Sequence, residues 1–205
     1  GEYRDVIAAN RAGSVYLAAN DGMLHAFDAS TGRERWAFIP SGVLPQLWRI
    51  ADSTFGTNFR YLLDGTPVAG DICPFAPIRE CAASEWRTVL VGSLGAAGRE
   101  YYALDITVPD QPKLLWTLSV DQEQQLGYAL GKPVITKRRD GSWVVVIASG
   151  YNNVTPGEGH GVLFVLNAVT GAVMKRIDTG AGSESAPAGL AQLNVWVDTL
   201  LDNTA

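Results

Sequence analysis

Two cysteines, two histidines and one glycine-rich turn are the places where this chain's residue types and spacing could do chemistry. Cys73 and Cys81 are its only cysteines and frame two prolines in the run CPFAPIREC. No other Cys or His sits nearby to complete a metal site, which leaves a disulfide or two partly buried thiols. His25 and His160 are the only histidines. His160 stands beside Glu158 in the run 152–161, and two such side chains fall short of the three or four protein ligands of a tetrahedral metal site. A solvated loop is the reading for it. The many turn serines have no histidine in a workable constellation, so a Ser–His–Asp nucleophile has no support. The run GSLGAAG, from Gly92 to Gly98, has the glycine content of a phosphate-cradling loop. Such a loop must hand over to a helix whose N-terminal amides hold the phosphate. Residues 100–106 read as a strand, so a hairpin turn is expected instead.

The elements that must position these residues repeat. Residues 15–40, 88–119 and 144–180 each run as an apolar strand, a glycine-marked turn, an apolar strand ending in Asp or Asn, and another turn. Such repetition announces a β-propeller, because one blade is a small sheet that cannot bury its faces alone. Ala26-Phe27-Asp28, Ala103-Leu104-Asp105 and Val165-Leu166-Asn167 fall at one repeat position. Asp28 and Asn167 open turns closed by Gly32 and Gly171, where a side-chain oxygen can take backbone N–H groups and glycine the positive φ. His25 shares a repeat slot with Tyr102 and Phe164, so packing between blades accounts for it. Trp36 and Trp116 are equivalent on the following strand and read as contacts between blades, not as platforms for a cofactor or sugar. The third unit has no tryptophan, so one such contact must be made differently.

The coarse reading gives an all-β, partial β-propeller of about three antiparallel four-stranded blades with a short helical insertion. Strands at 14–20, 22–28 and 34–39 make a partial blade within 1–40, whose opening strand is missing or degenerate at 5–10. Residues 41–60 are the insertion, in which Leu44, Leu47, Trp48 and Ala51 fall at helical intervals. Strands at 66–72, 86–92, 100–106 and 113–119 make a blade within 61–120. Strands at 130–137, 143–149, 162–167 and 173–179 make another within 127–180, and 186–197 opens a further one within 184–205.

Composition fits a secreted, sheet-rich domain. The chain has 205 residues with 22 glycines and 10 prolines, suited to many short strands and tight turns. Its formal net charge of −5, with scattered basic residues, argues against nucleic acid as a partner. No apolar run reaches the ~18 residues of a membrane-spanning helix. The chain begins at Gly1 without a signal peptide and stops at Ala205 inside a repeat, so a longer parent protein is expected.

Read in order, the runs YLAANDGMLHAFDASTG, RYLLDGTPVAGD, WRTVLVGSLGAAGREYYALDIT, LGYALGKPVI, WVVVIASGYNN and SAPAGLAQLNVWVD resemble the C-terminal propeller of the PilY/PilC-type pilus-tip proteins. Single pieces such as DGMLHAFDASTG also occur in quinoprotein repeats, whereas the ordered set, covering about residues 5–203, is specific. The resemblance implies an exported type IV pilus biogenesis factor and tip adhesin at the bacterial cell surface, pilus tip or outer membrane. It would support pilus extension and attachment, with minor pilins and host or abiotic surfaces as partners. In an exported protein the Cys73–Cys81 disulfide becomes the expected state, stabilising by roughly 2–3 kcal/mol through loop closure. The sequon Asn153-Val-Thr155 is then read as accidental, since the resemblance is to bacterial proteins.

In the resembled family a calcium loop of the form D-x-D/N-x-D-x-x-x-D follows the segment matched by 185–197. Asp198 and Asp202 stand at its first and fifth positions, but the third is Leu200 and the ninth lies beyond Ala205. Calcium takes six to eight oxygens, so a polar turn without tight calcium binding is expected here, calcium staying open for a full-length domain. A second function class shares the repeat: a fragment of a quinone-dependent dehydrogenase, or a scaffold propeller. The enzyme would need a central cofactor pocket with a cation and a catalytic carboxylate. The chain shows neither an adjacent-cysteine pair nor acidic residues clustered at strand ends, so no catalytic residue and no cofactor is assigned. Residues 41–60, 71–85 and 151–161 are the candidate binding loops.

Overall fold

The computed structural model describes residues 9–195. Within them the apolar runs form three antiparallel sheets whose strands pair in chain order. The first contains β1 (Ser14–Ala18), β2 (Leu24–Asp28) and β3 (Glu34–Phe38). The second contains β4 (Val68–Ile72), β5 (Arg87–Ser93), β6 (Glu100–Asp105) and β7 (Lys113–Ser119), and the third β8 (Val134–Lys137), β9 (Trp143–Ala148), β10 (Val162–Asn167) and β11 (Val173–Asp178). These are three blades of an open propeller, the all-β architecture expected. The first sheet has three strands. Of residues 5–10 only Ala9 and Asn10 are described, and both are helical. Of residues 186–197, the described part 186–195 forms no strand; Leu190 makes an isolated bridge to Gly150.

One local device recurs in every blade. The register between the third strand of the repeat and its outer neighbour slips at Ala26/Phe27, Ala103/Leu104 and Val165/Leu166. Such a bulge bends the strand just before its end. The next residue then turns the chain: Asp28 Oδ1 accepts the Ser30 and Thr31 N–H groups, Asp105 Oδ1 that of Thr107, and Asn167 Oδ1 those of Val169 and Thr170. Gly32 and Gly171 close two of these turns at φ 71° and 72°, where any side chain is strained.

The outer strands fasten blade to blade. Trp36 Nε1 donates to the carbonyl of Pro109, 2.7 Å away in the turn after β6. Trp116 Nε1 donates to the carbonyl of Ala168, 3.0 Å away in the turn after β10. Each tryptophan thus reaches the same turn of the following blade and pairs its single donor, the Trp116 ring buried and the Trp36 ring half-buried. The Trp116 ring also covers Gly171, where an added methyl would come within 2.7 Å of it. In the third blade this register position, opposite Val165, is Lys175, and it is exposed.

The middle blade is buried on both faces. Leu90, Leu94, Tyr102, Leu104 and Ile106 pack toward the first blade with Leu24, Val43 and Leu63. Val89, Val91, Tyr101, Ala103, Trp116 and Leu118 pack toward the third with Val145, Ile147, Phe164 and Leu166. Consecutive Tyr101 and Tyr102 therefore point to opposite sides and both are buried. This explains the unbroken apolar run of β5, since only a one-sided sheet reads as strict alternation. The end blades do alternate or open out: Val15 and Leu17 are exposed on one, Met174 and Ile177 on the other.

The insertion departs from the amphipathic helix expected. Ser41–Ala51 is a 3-10 helix with Pro45 inside it. Proline has no N–H for an α-helical bond, and three residues per turn do not gather positions chosen at a 3.6 period. Val43 is the buried residue, lying with Leu47 over Gly22, while Leu44, Trp48 and Ala51 face solvent.

Candidate functional site

Antiparallel strands in chain order send alternate connections to opposite ends of the arc. The disulfide-bearing segment 71–85 emerges at one end. Segments 41–60 and 151–161 emerge at the other. The three candidate binding loops therefore make two surfaces.

At the first end Cys73 and Cys81 are bonded, with Cα atoms 5.7 Å apart. The loop they close is also held by charge: Arg79 forks onto Glu85 at 2.6 and 2.7 Å, and Glu85 accepts the Ala82 N–H at 2.9 Å. The Arg79 guanidinium and that N–H hold the Glu85 carboxyl down at about 2. Trp86 meets Trp143 edge-on, centroids 5.8 Å apart. Between this loop and the β8–β9 turn lies a cleft of about 400 Å3, lined by Arg79, Trp86, Lys137, Asp140 and Trp143. A larger one of about 600 Å3 runs between Phe75, Arg87, Asp105 and Leu114. Both mix apolar walls with charges of either sign and hold no nucleophile–base pair.

At the second end the loops are fastened to the blades. Arg99 donates to the carbonyls of Asn152 and Val154 at 2.8 and 3.1 Å and lies over the Tyr128 ring. Asn153 is fully buried, its Nδ2 donating to the carbonyls of Gln125 and His160 at 3.0 and 2.7 Å. An amide so enclosed is no glycan acceptor, which disposes of the sequon. His160 pairs with Asp178 at 2.9 Å, and that carboxylate raises its pKa. Glu123, buried, is bound by Arg176 through Nε at 2.7 Å and Nη2 at 2.6 Å, tying β11 to the segment after β7.

Residues 41–60 sit over the first blade. Glu100, buried at the start of β6, accepts from Ser41 Oγ at 3.1 Å and from the Gly42 N–H. Burial pushes its pKa up against those two bonds. Asn20 takes the Leu62 N–H at 2.8 Å and donates to the Arg60 carbonyl at 3.3 Å, pinning the far end of the insertion. His25 does more than pack. Its ring stacks on Phe27, centroids 5.9 Å apart, and it joins Glu34 at 2.7 Å and Asp21 at 2.9 Å. The Glu34 hydrogen bond raises its pKa most, burial opposes it, and the Asp21 hydrogen bond adds to the rise.

Among the described residues no three His, Cys, Asp or Glu side chains gather to hold a metal. Asp198 and Asp202 lie outside the described residues. No helix among the described residues is long and apolar enough to cross a membrane. Sequence reasoning passed over Arg99, Glu100 and the Glu123–Arg176 pair. Only Glu100 left a signal, a lone carboxylate at the head of the apolar run YYALD.

The whole range 1–205 matches the PilY1 beta-propeller domain family. The chain is 38% identical over 182 residues to the type IV pilus biogenesis factor PilY1 of Pseudomonas aeruginosa strain PAO1, covering 88% of this chain and 15% of that one. A PilY1 homolog of Xylella fastidiosa is 40% identical over 163 residues, covering 80% of this chain and 12% of its own. The crystal structure of the Pseudomonas aeruginosa PilY1 C-terminal domain superposes with a TM-score of 0.66 at 36% identity, covering 87% of this chain and 32% of that one. The chain thus spans about 15% of the length of the curated relatives it matches.

Proposed function

Because the chain belongs to the PilY1 beta-propeller family, we propose that it is a non-enzymatic propeller of a type IV pilus biogenesis factor, exported to the bacterial cell surface, where it supports pilus extension and attachment to host or abiotic surfaces. The observation that carries this reading is the continuous match over residues 1–205, which takes in every blade and every inserted loop. The architecture supports it. Trp36 and Trp116 fasten each blade to the next, and the long loops stand at the two ends of the blades, the kind of place where partners are met. Minor pilins are the partners proposed for assembly, and the loop surfaces serve attachment. The reading assigns no quinone or other cofactor to this chain and no tight calcium binding to Asp198 and Asp202, whose run lacks a ligand at Leu200. Calcium is left to the full-length domain.

The test deletes residues 41–60, 71–85 and 151–161 one at a time in the encoded protein, in the organism that makes it. Surface pili and adherent cells are then counted. At least one deletion should lower pili or attachment while the protein still reaches the surface. Normal piliation and attachment in all three would overturn the role given to the loops. Purified protein that retains a quinone, or reduces a dye with alcohols, would overturn the non-enzymatic reading.

A further inference from the structure

The chain is acidic, with 21 Asp and Glu against 16 Lys and Arg, and six of its twelve arginines are spoken for by the contacts that follow. Arg35, Arg79, Arg87, Arg138 and Arg176 each pair with a carboxylate, and Arg99 is held by backbone carbonyls. Arg49 and Arg60 are not paired in this way, and the two line one cleft of about 260 Å3 in the insertion, with Asp52, Thr54, Phe55 and Asn58.

The walls of this cleft are set in advance. Asn58 Nδ2 donates to Thr54 Oγ1 at 3.1 Å, and Thr54 Oγ1 donates in turn to Asp52 Oδ1 at 2.8 Å. Gln46 Oε1 takes Arg49 Nε at 2.5 Å, and the two terminal nitrogens of that guanidinium make no protein hydrogen bond, although the Asp52 carboxylate, held below its usual range first by its Thr54 bonds, is within electrostatic reach of it. The backbone of Arg60 is pinned by Asn20, while its side chain is exposed. Aromatic surface continues from the cleft, Phe55 to Phe59 at 5.7 Å and Phe59 to Tyr61 at 5.3 Å. Trp48, exposed, lies under the Arg49 guanidinium at 5.0 Å.

We propose that this cleft binds the carboxylate-bearing ring of an acidic saccharide. A guanidinium fork matches a carboxylate in a way that a lysine does not. Asp52, Thr54 and Asn58 offer both donors and acceptors to hydroxyls, and aromatic faces suit the C–H face of a sugar ring. The volume is below the ~300–1,000 Å3 of sites for larger ligands, which fits one ring. Asp52 argues against a dianion such as a phosphate monoester or free sulfate, whose second charge it would repel, whereas a saccharide has hydroxyls to bond it.

The proposal rests on the attachment half of the function above and names its ligand class. It is tested on the purified protein as its gene encodes it, titrated at 0.15 M salt with N-acetylneuraminic acid, with glucuronic acid and with neutral N-acetylglucosamine, read by ligand-observed NMR. Saturable binding is expected for an acidic sugar, at least ten-fold weaker for the neutral one. Arg60→Ala should weaken it about ten-fold or more and Arg60→Lys by less, while Arg139→Ala, an equal charge change at the opposite loop end, should leave it alone. Circular dichroism confirms that each variant is folded. Absence of saturable binding, equal binding of the neutral sugar, or equal loss in Arg139→Ala and Arg60→Ala would overturn the proposal. Inorganic sulfate competing as well as the acidic sugar would also overturn it, showing a site for any anion. Neither pili nor cells enter this titration, so its failure is distinct from failure of the loop-deletion test.

Discussion

The contact between Trp116 and Gly171 gives a prediction that can be worked from its geometry. Gly171 has φ 72°, and a methyl placed there would lie 2.7 Å from both Cγ and Cδ2 of the Trp116 ring and 2.9 Å from its Cβ. Gly171→Ala should therefore cost about 1–2 kcal/mol for the left-handed backbone and about 1–3 kcal/mol more for overpacking against the ring. Gly32→Ala has the same backbone cost at φ 71° but nothing within 4 Å of the new methyl. Trp116→Ala alone should cost about 3–5 kcal/mol, as for other large aromatic truncations in a core. In the double variant the ring is gone and only the Cβ approach remains. The two costs should then fall short of additivity by about 1–2 kcal/mol, above the ~0.3–0.5 kcal/mol scatter of independent sites. The assay is urea unfolding followed by far-UV circular dichroism, since fluorescence would change with the tryptophan itself. Strict additivity would refute the claim that the ring, and not the backbone alone, requires glycine at 171.

Four further outcomes follow from other contacts. Peptide mapping of a non-reduced digest should show Cys73 linked to Cys81, and the Cys73→Ser, Cys81→Ser double variant should lose about 2–3 kcal/mol; two free thiols in exported protein would remove the bond. Glu100 has a folded pKa above its ordinary value because of burial, so the folded state binds the extra proton and stability falls as pH rises through that folded pKa. Glu100→Gln should flatten the profile from pH 4 upward, and an unchanged slope would refute the assignment. Tyr101 is buried with its hydroxyl unpartnered, so Tyr101→Phe should be neutral or stabilising by about 1 kcal/mol in thermal unfolding; a clear loss would reveal a hidden partner. The 205-residue chain made alone, with Val15, Leu17, Met174 and Ile177 exposed on its end blades, should self-associate in analytical ultracentrifugation, and a monodisperse monomer would count against sticky end faces.

The blades were legible because their signals are local. A strand-ending Asp or Asn at the head of a turn recurs in all three blades and a tryptophan in two, so the alignment of Asp28, Asp105 and Asn167 places the strand ends that the structure shows. The insertion was half legible. Its apolar spacing announced a helix, but Pro45 tightened it to 3-10 winding and exchanged the buried residue from Leu44 to Val43. The ties that hold the loops were not legible. Arg99 reaches carbonyls 53 and 55 residues away, and Glu123 finds Arg176 across 53. Backbone carbonyls leave no trace in side-chain pattern, and the distance between partners is set by the arc, not by any repeat. The charged partners of His25 were not legible for a related reason, since the repeat marks its slot as aromatic and nothing in it marks Asp21 and Glu34 as neighbours.

The back-to-back burial of Tyr101 and Tyr102 makes the three blades a short nearest-neighbour chain in the statistical sense. Each blade's free energy is its own term plus one coupling for every interface, and the middle blade holds two couplings where each end blade holds one. In these 205 residues made alone, unfolding should then begin at the outer blades and run inward, with amide protons of β5 and β6 exchanging last and those of β1 and β11 first. A lesion at Tyr102 would weaken the first interface and one at Tyr101 the second, so adjacent residues would fray opposite ends of the array.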